Sequence, residues 1–502
     1  MRGMRAGIMG RSRWGIRVGA EHPPYPIHWT GLLAPVPSFV GAFAMTRCAT
    51  RFGRHTLGAA CLAALALPAV QGGPAYAATL EVGAGKTFVR IEDALARAQA
   101  GDTILVHPLP GGRPYERTAL NVHRPRLTFR AVPGAGQAWV KISGRGFSYS
   151  GAGSTPRAIF QFNRGADHCL VEGFELYEAH NHSHNGAGVR INQANHVTVR
   201  NCSIHDNDMG IMSNGDGTLN AAIDQRIEHC LIYGNGSAED PGHNHNLYLG
   251  GTSAVLRFCE IYSSTTGHNV KSRAHANRIE YCYIHHSANR EFDLVDAAET
   301  ALPASHTVLL GNLIVKDPKC RGNRAVIHFG QDGGREHDGT LYLAMNTIVT
   351  SFIAPVVELS APKARAHLVG NLVADGGIRQ AGQTVAAARA GARLENVTGT
   401  GNWFSGDFAA SAAGTGLSQR DNTFRRPAHP LFADPQRHDY RLTREALGLA
   451  ATPLAPADLS LPGVPGMPAA DALEPLAWQY QHSADKAPRS RRGPNVVGAF
   501  GP

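Results

Sequence analysis

Four cysteines of this 502-residue chain share one local frame. In "VRNCSI" (199–204), "IEHCLI" (227–232), "LRFCEI" (256–261) and "IEYCYI" (279–284) an aliphatic residue stands three places before the cysteine and an isoleucine two places after it. The frame continues with asparagine in the same slot, in "LLGNLI" (309–314), "LAMNTI" (343–348) and "LVGNLV" (368–373), and begins with phenylalanine in "VEGFEL" (171–176). The column therefore reads Phe174, Cys202, Cys230, Cys259, Cys282, Asn312, Asn346, Asn371 and ends at Asn402, with steps of 23 to 34 residues. Self-similarity at such a period means a solenoid, in which each repeat buries its apolar face only against its neighbours. Two inward residues three apart cannot share one straight strand, where the inward period is two. The chain must bend just before the cysteine or asparagine, and a new strand begins there.

In such a stack equivalent residues sit about 4.8 Å apart. Stacked cysteines then act as small buried hydrophobes and are expected to stay reduced. An inward line of thiols offers no tetrahedral metal geometry. Stacked asparagines can bond to one another and to the turn backbone.

Several short strands per coil, asparagine stacked at a turn and irregular loops elsewhere resemble the right-handed parallel β-helix of the pectate-lyase-like superfamily. The resemblance covers roughly residues 79–404 and implies an all-β solenoid with an N-terminal capping helix. The segment "TLEVGAGKTFVRIEDALARAQAGDTILVHP" (79–108) fits the cap: Phe88, Ile91, Ala94, Leu95 and Ala98 share one helical face. That helix would cover strand edges otherwise open to pairing. The β-helix is expected over 78–405 and an irregular closing segment over 406–502, with "NVVGAF" (495–500) returning as a final strand.

The net charge of +9 suggests nucleic acid, but its distribution does not. Residues 1–77 hold eight arginines and one acid, Glu21, which leaves 40 basic against 38 acidic residues in the rest. The basic excess belongs to a targeting segment. Met45 opens a stretch with Arg47, Arg51 and Arg54, an apolar run from Leu57 to Val70 and a small-residue "AYA" at 75–77. This reads as a signal peptide over 45–77, with 1–44 an upstream extension. The run is too short to span a bilayer. The expectation is a periplasmic or secreted monomer with no membrane span and no nucleic-acid partner.

Between the repeat frames each coil carries another strand: "GAGVRIN" (186–192), "DMGIMSN" (208–214), "HNLYLGG" (245–251), "HNVKSRA" (268–274), "REFDLVD" (290–296) and "AVIHFGQ" (325–331). If Val189/Ile191, Leu247/Leu249, Val270/Ser272 and Ile327/Phe329 point inward, the residues between them form one outward column. It reads Arg190, Met212 or Gly210, Tyr248, Lys271, Asp293 and His328. A neighbouring outward row would hold His245 or Asn246, His268 or Asn269, Arg273 and Glu291.

Tyrosine, lysine, aspartate, histidine and arginine on adjacent rungs suit β-elimination on an acidic polysaccharide. The sugar proton beside a carboxylate is weakly acidic, so a base must remove it while positive charge neutralises the carboxylate. Lys271, near Arg273 and Arg290, is expected to have its pKa lowered by like charge and to act as that base. Tyr248 would protonate the leaving oxygen. Arg190, His245, His268, Asn269, Asp293 and His328 would bind the polymer.

The stretch "VKS" (270–272) followed by "NRIEYCYI" (277–284) is similar to the chondroitinase B and alginate lyase family of β-helix enzymes. That resemblance implies a Lys-Ser pair, here Lys271 and Ser272, with the lysine as base. It also implies an Arg-His pair one coil later, where this chain has "DLVDA" (293–297), so Arg290 would stand in for the arginine. The acidic calcium ligands implied upstream of the lysine are replaced by Thr266, Gly267, His268 and Asn269. No cofactor is therefore expected to be required, with calcium left open although its expected acidic ligands are absent. Two other classes stay open: an inverting glycoside hydrolase using Asp206, Asp208, Asp293 and Asp296, and a non-catalytic glycan-binding solenoid. The histidine-rich "HNHSHNG" (180–186) and "GHNHN" (242–246) are read as turn caps rather than a zinc site.

Overall fold

Each coil makes three short strands, because bends interrupt the backbone before a strand can run long. The coil bearing Lys271 runs Val270–Ser272, Ala276–Glu280 and Tyr283–His285. Strands of the first kind stack into a ten-stranded sheet, and those of the second and third kinds into two twelve-stranded sheets. Pairing within all three is parallel, as in Leu247↔Val270↔Phe292↔Ile327 along the ten-stranded sheet. The computed structural model describes residues 77–502, apart from 135, 137, 377–381, 406–407, 409–412, 447–458, 474–476, 483–484, 489–496 and 501–502. The chain is a right-handed parallel β-helix, the hand that parallel strand crossovers take. The leader expected at 45–77 and the extension at 1–44 lie, but for Ala77, outside the described residues.

The bend anticipated before the repeat column is a single left-handed residue. Asn201, His229, Phe258, Tyr281 and Met345 take φ between 51° and 54°, and Gly173, Gly311, Gly370 and Gly401 fill the other slots. A non-glycine residue at positive φ is uncommon, and five in one column mean that the stack enforces the conformation. At Gly311 a Cβ would come within 2.6 Å of the Tyr281 ring, so glycine is also required by space.

Past each bend the column residue turns inward. Cys202, Cys230, Cys259 and Cys282 are buried free thiols, as expected. Burial pushes the Cys202, Cys230 and Cys259 thiols well up. The asparagines form a ladder in which each side-chain amide donates to the next oxygen: Asn312 to Asn346 at 3.0 Å, Asn346 to Asn371 at 3.0 Å, Asn371 to Asn402 at 2.8 Å. The ladder runs on to Asn422 at 2.8 Å, and Thr423–Phe424 pairs with Trp403–Phe404, one strand beyond residue 405.

A second ladder stands at the turn between the third sheet and the ten-stranded sheet. Asn207 donates to Asn235 at 3.0 Å, Asn235 to Asn246 at 2.9 Å, Asn246 to Asn269 at 2.8 Å, and Asn269 to the Glu291 carboxylate at 2.6 Å. Glu291 is fully buried, and that burial pushes its pKa up to about 7 despite Lys316 3.8 Å away. The expected outward placement of Asn246, Asn269 and Glu291 is therefore corrected. They lie in a turn, where inward-outward alternation no longer applies.

The cap is helix Ile91–Arg97, whose Ile91 and Ala94, with Ala98 just beyond, are buried over the first strands. At the other end two antiparallel hairpins form, Phe432–Asp434 with Asp439–Leu442 and Trp478–Gln481 with Asp485–Pro488. Phe432, Tyr440 and Tyr480 pack on Tyr283, Leu313 and Val349 of the third sheet. Leu459 packs on Val308 and Leu310 of the second. Val497–Phe500 does return to the helix, with the Gly498 N–H on the Gly370 carbonyl at 2.8 Å, but as a bend rather than the expected strand. Among the described residues, then, the closing segment covers the outer faces of the two twelve-stranded sheets. The outer face of the ten-stranded sheet is left to the residues described next.

The ladder should carry measurable stability. Asn346 is fully buried and makes four bonds: its oxygen accepts from the Asn312 N–H (2.9 Å) and amide (3.0 Å), and its amide donates to the Leu309 carbonyl (2.8 Å) and Asn371 (3.0 Å). Orphaning a buried polar group costs about 1–3 kcal/mol. Asn346→Ala is expected to lose at least about 3 kcal/mol in urea unfolding. A loss below about 1 kcal/mol would make the ladder incidental.

Candidate functional site

The outward column of the ten-stranded sheet has the composition and register expected from the sequence. Arg190 pairs with Met212, Met212 with Tyr248, Tyr248 with Lys271, Lys271 with Asp293, and Asp293 with His328. It runs one rung further than expected, to Glu358. Leu247, Leu249, Val270, Phe292, Leu294, Ile327 and Phe329 face inward and are almost wholly buried, which fixes the intervening side chains outward. Ser272, the partner of Lys271 in the family resemblance, faces inward too and donates to Asn277 at 2.7 Å.

Asp293 is the hub. Its carboxylate meets Lys271 at 2.8 Å, His328 at 2.8 Å, Arg290 at 3.2 Å and His268 at 3.4 Å. Burial opposes its charge, but His268, Lys271 and His328 together hold its pKa well below the ordinary value. His328 is fixed on its other side by Ser360 at 2.6 Å, and Arg290 reaches Glu358 at 3.5 Å.

Lys271 also meets Asp332 at 2.7 Å. Asp332, from the loop after strand Ile327–Gly330, bonds Arg273 at 2.7 Å as well. Arg273 donates to the phenolic oxygen of Tyr248 at 3.0 Å and approaches the Asp296 carboxylate at 3.6 Å. Asp296 in turn accepts the backbone N–H groups of Asp332, Gly333 and Arg335 at 2.7–2.9 Å and so holds the loop in place.

This geometry reverses one expectation. Burial works against the Lys271 ammonium, but Asp293 and Asp332 outweigh it and raise its pKa. Like charge does not depress it, because Arg273 and Arg290 are themselves paired with carboxylates. Lys271 is therefore charged in this arrangement and is not a ready base.

Several expected binding residues are corrected as well. His245 and His268 are buried at 2% and 5% exposure and stack with ring centres 5.1 Å apart. Burial pushes the His268 pKa down to about 4 and that of His245 well down. Asn269 belongs to the ladder, and Asp293 and His328 lie inside the ion-pair network rather than on its surface. The groups that reach solvent are Tyr248, Lys271, Arg273, Asp332 and, more narrowly, Arg290. Arg190 is nearly buried, and burial brings its pKa down to about 10. It donates to Met212 sulfur at 3.1 Å and Asn214 at 3.2 Å, and among the described residues no carboxylate pairs with it.

Sequence reading missed Asp332, Asp296 as a loop anchor, and Glu358. Glu358 was within reach, since "VVELS" repeats the inward-outward pattern of the neighbouring rungs. The carboxylates weighed for a hydrolase have structural work: Asp208 accepts from His180 and from the N–H groups of Asn181 and Gly186, and Asp206 pairs with His205. Among the described residues no group of three or more His, Cys, Asp or Glu is arranged to hold a metal ion.

No family model matches the chain, and no curated protein matches it. Solved structures do resemble it in fold. They include pectate lyase Pel9A (TM-score 0.41, 15% identity, 84% of this chain and 96% of that one). Others are the PL6 family alginate lyase AlyGC (0.32, 13%, 68% and 53%) and the A-module of Azotobacter vinelandii mannuronan C-5 epimerase AlgE6 (0.34, 13%, 62% and 93%).

The hub makes its own forecast. Asp293→Asn leaves Lys271 with Asp332 alone, Arg290 with Glu358 alone and His328 without its charged partner, which should cost about 1–3 kcal/mol at neutral pH. Because the folded-state pKa of Asp293 is depressed, its contribution is complete above its ordinary value of 3.8 and is lost as pH falls below it. Parent and variant unfolding curves should thus converge in strong acid and separate at pH 7; equal stability at pH 7 would refute the hub.

Proposed function

We propose that this is an exported carbohydrate-active protein, a polysaccharide lyase that cleaves a uronic-acid-containing polymer by β-elimination. The observation that carries the reading is the Arg273–Tyr248 contact beside a charged Lys271 on the open face. Elimination needs cations at the sugar carboxylate and a proton-transfer group on the same face. Lys271 and Arg273 supply the first. Tyr248 supplies the second: its oxygen accepts from Arg273, which leaves the oxygen's remaining lone pair free to exchange a proton with the sugar. Lys271, Asp293 and His328 are all held in ion pairs or hydrogen bonds, which leaves Tyr248 as the exchangeable group of the column. We assign it both steps as the phenolate, its own proton having passed to solvent: the Tyr248 oxygen takes the sugar proton and then delivers that same proton to the leaving oxygen, with Arg273 stabilising the phenolate before and after.

An inverting hydrolase fits less well. Asp293 and Asp332 touch the same ammonium, at 2.8 and 2.7 Å. That sets them closer than the roughly 6.5–9.5 Å that an inverting pair leaves for water.

Supplied with pectate, alginate or glycosaminoglycans, the protein should generate unsaturated ends that absorb in the near ultraviolet. Tyr248→Phe should lose at least about a hundredfold in kcat with an unchanged melting temperature. Reducing ends without that absorbance would establish hydrolysis instead. With Lys271 and Arg273 neutralising the carboxylate, the reaction is also proposed to need no calcium. A chelator should leave the initial rate within about twofold, and a collapse restored by calcium would overturn that assignment.

A further inference from the structure

The ion pairs around Lys271 and Arg273 are not equivalent. Lys271 is held from within by Asp293, whose side chain is 3% exposed, and Arg273 by Asp296, 1% exposed. The third carboxylate, Asp332, is 32% exposed and touches both cations, one oxygen on each, at 2.7 Å. The buried charges therefore keep counter-ions without it. Asp332 is the most exposed carboxylate of the network, so it is the one a carboxylate arriving from solvent can replace. Its backbone need not move, since Asp296 holds the loop through the N–H groups of residues 332, 333 and 335.

A planar carboxylate split between an ammonium on strand Val270–Ser272 and a guanidinium just past its end is the arrangement a sugar carboxylate would adopt. We propose that Asp332 occupies the carboxylate subsite of this protein, and that a free uronate enters by displacing it. The inference deepens the uronate reading and rests on it. It also defines a specificity. An esterified or neutral sugar offers nothing to exchange for Asp332 and meets a subsite already filled, whereas a free acid replaces one carboxylate by another.

The test is calorimetric titration of the full chain with unsulfated uronate trisaccharides of the galacturonate, mannuronate and glucuronate types, and with their methyl esters. Asp332→Asn should tighten binding of at least one free acid roughly tenfold while leaving its ester within about twofold. Glu336→Gln removes the same charge from the same loop, but its carboxylate pairs with Lys363 rather than with the site cations, so no gain is expected. Binding unchanged or weakened in Asp332→Asn, an equal gain in Glu336→Gln, or no uronate bound by any of the proteins would each overturn the proposal. Turnover is judged separately: tighter acid binding without unsaturated product would sink the elimination and keep the subsite, and product without the gain would do the reverse.

Discussion

Parallel strands in strict register put every side chain about one strand spacing, roughly 4.8 Å, from its equivalents above and below. Everything else in this molecule follows from that constraint. A residue type tolerated in one rung must be tolerated next to its neighbours' residues in the same column, so columns become uniform where they are apolar and complementary where they are polar. The cysteine column is the apolar solution, and the two asparagine ladders are the polar one, since a carboxamide is both donor and acceptor and can pair with its own copy. Charge cannot do this. Like charges on adjacent rungs repel, and the outward column answers by alternating: Lys271, then Asp293, then His328, then Glu358.

That alternation explains why the site's electrostatics run opposite to a reading along the chain. Arg273 and Arg290 are the nearest charges to Lys271 in sequence, and a count of neighbours predicts a depressed lysine. The charges nearest in space come from other coils, with Asp293 22 residues on and Asp332 61 residues on. A solenoid converts long sequence separations into contact at one rung, so nearest-neighbour charge counting fails in it as a matter of geometry.

How far the sequence could be read follows the same division. The repeat column, the bend before it and the order Arg190, then Met212 or Gly210, then Tyr248, Lys271, Asp293 and His328 were legible, because strand alternation fixes faces wherever one face is buried, and the pairing selects Met212. The second ladder was not. Its members are 28, 11, 23 and 22 residues apart, a rhythm broken by loops of changing length, and they sit in a turn with no alternation to extrapolate. Extending the strand pattern past its ends placed Asn246, Asn269 and Glu291 on the surface when they are among the most buried polar groups of the molecule. Asp332 carried no signal at all, since its loop belongs to no repeat.

One charge in the column escapes the alternation. Arg190 lies three rungs from Lys271, about 14 Å at the strand spacing, and its neighbours Met212 and Gln161 are neutral. A nearly buried guanidinium without a carboxylate is held at a cost in this fold, and burial already lowers its pKa. Lys271 can close its ion pairs within the protein; Arg190 has none to close among the described residues. Arg190 is thus a charge that the fold holds through the Met212 sulfur and the Asn214 side chain rather than through an ion pair, which is how a nearly buried guanidinium is accommodated in a column otherwise built on alternation.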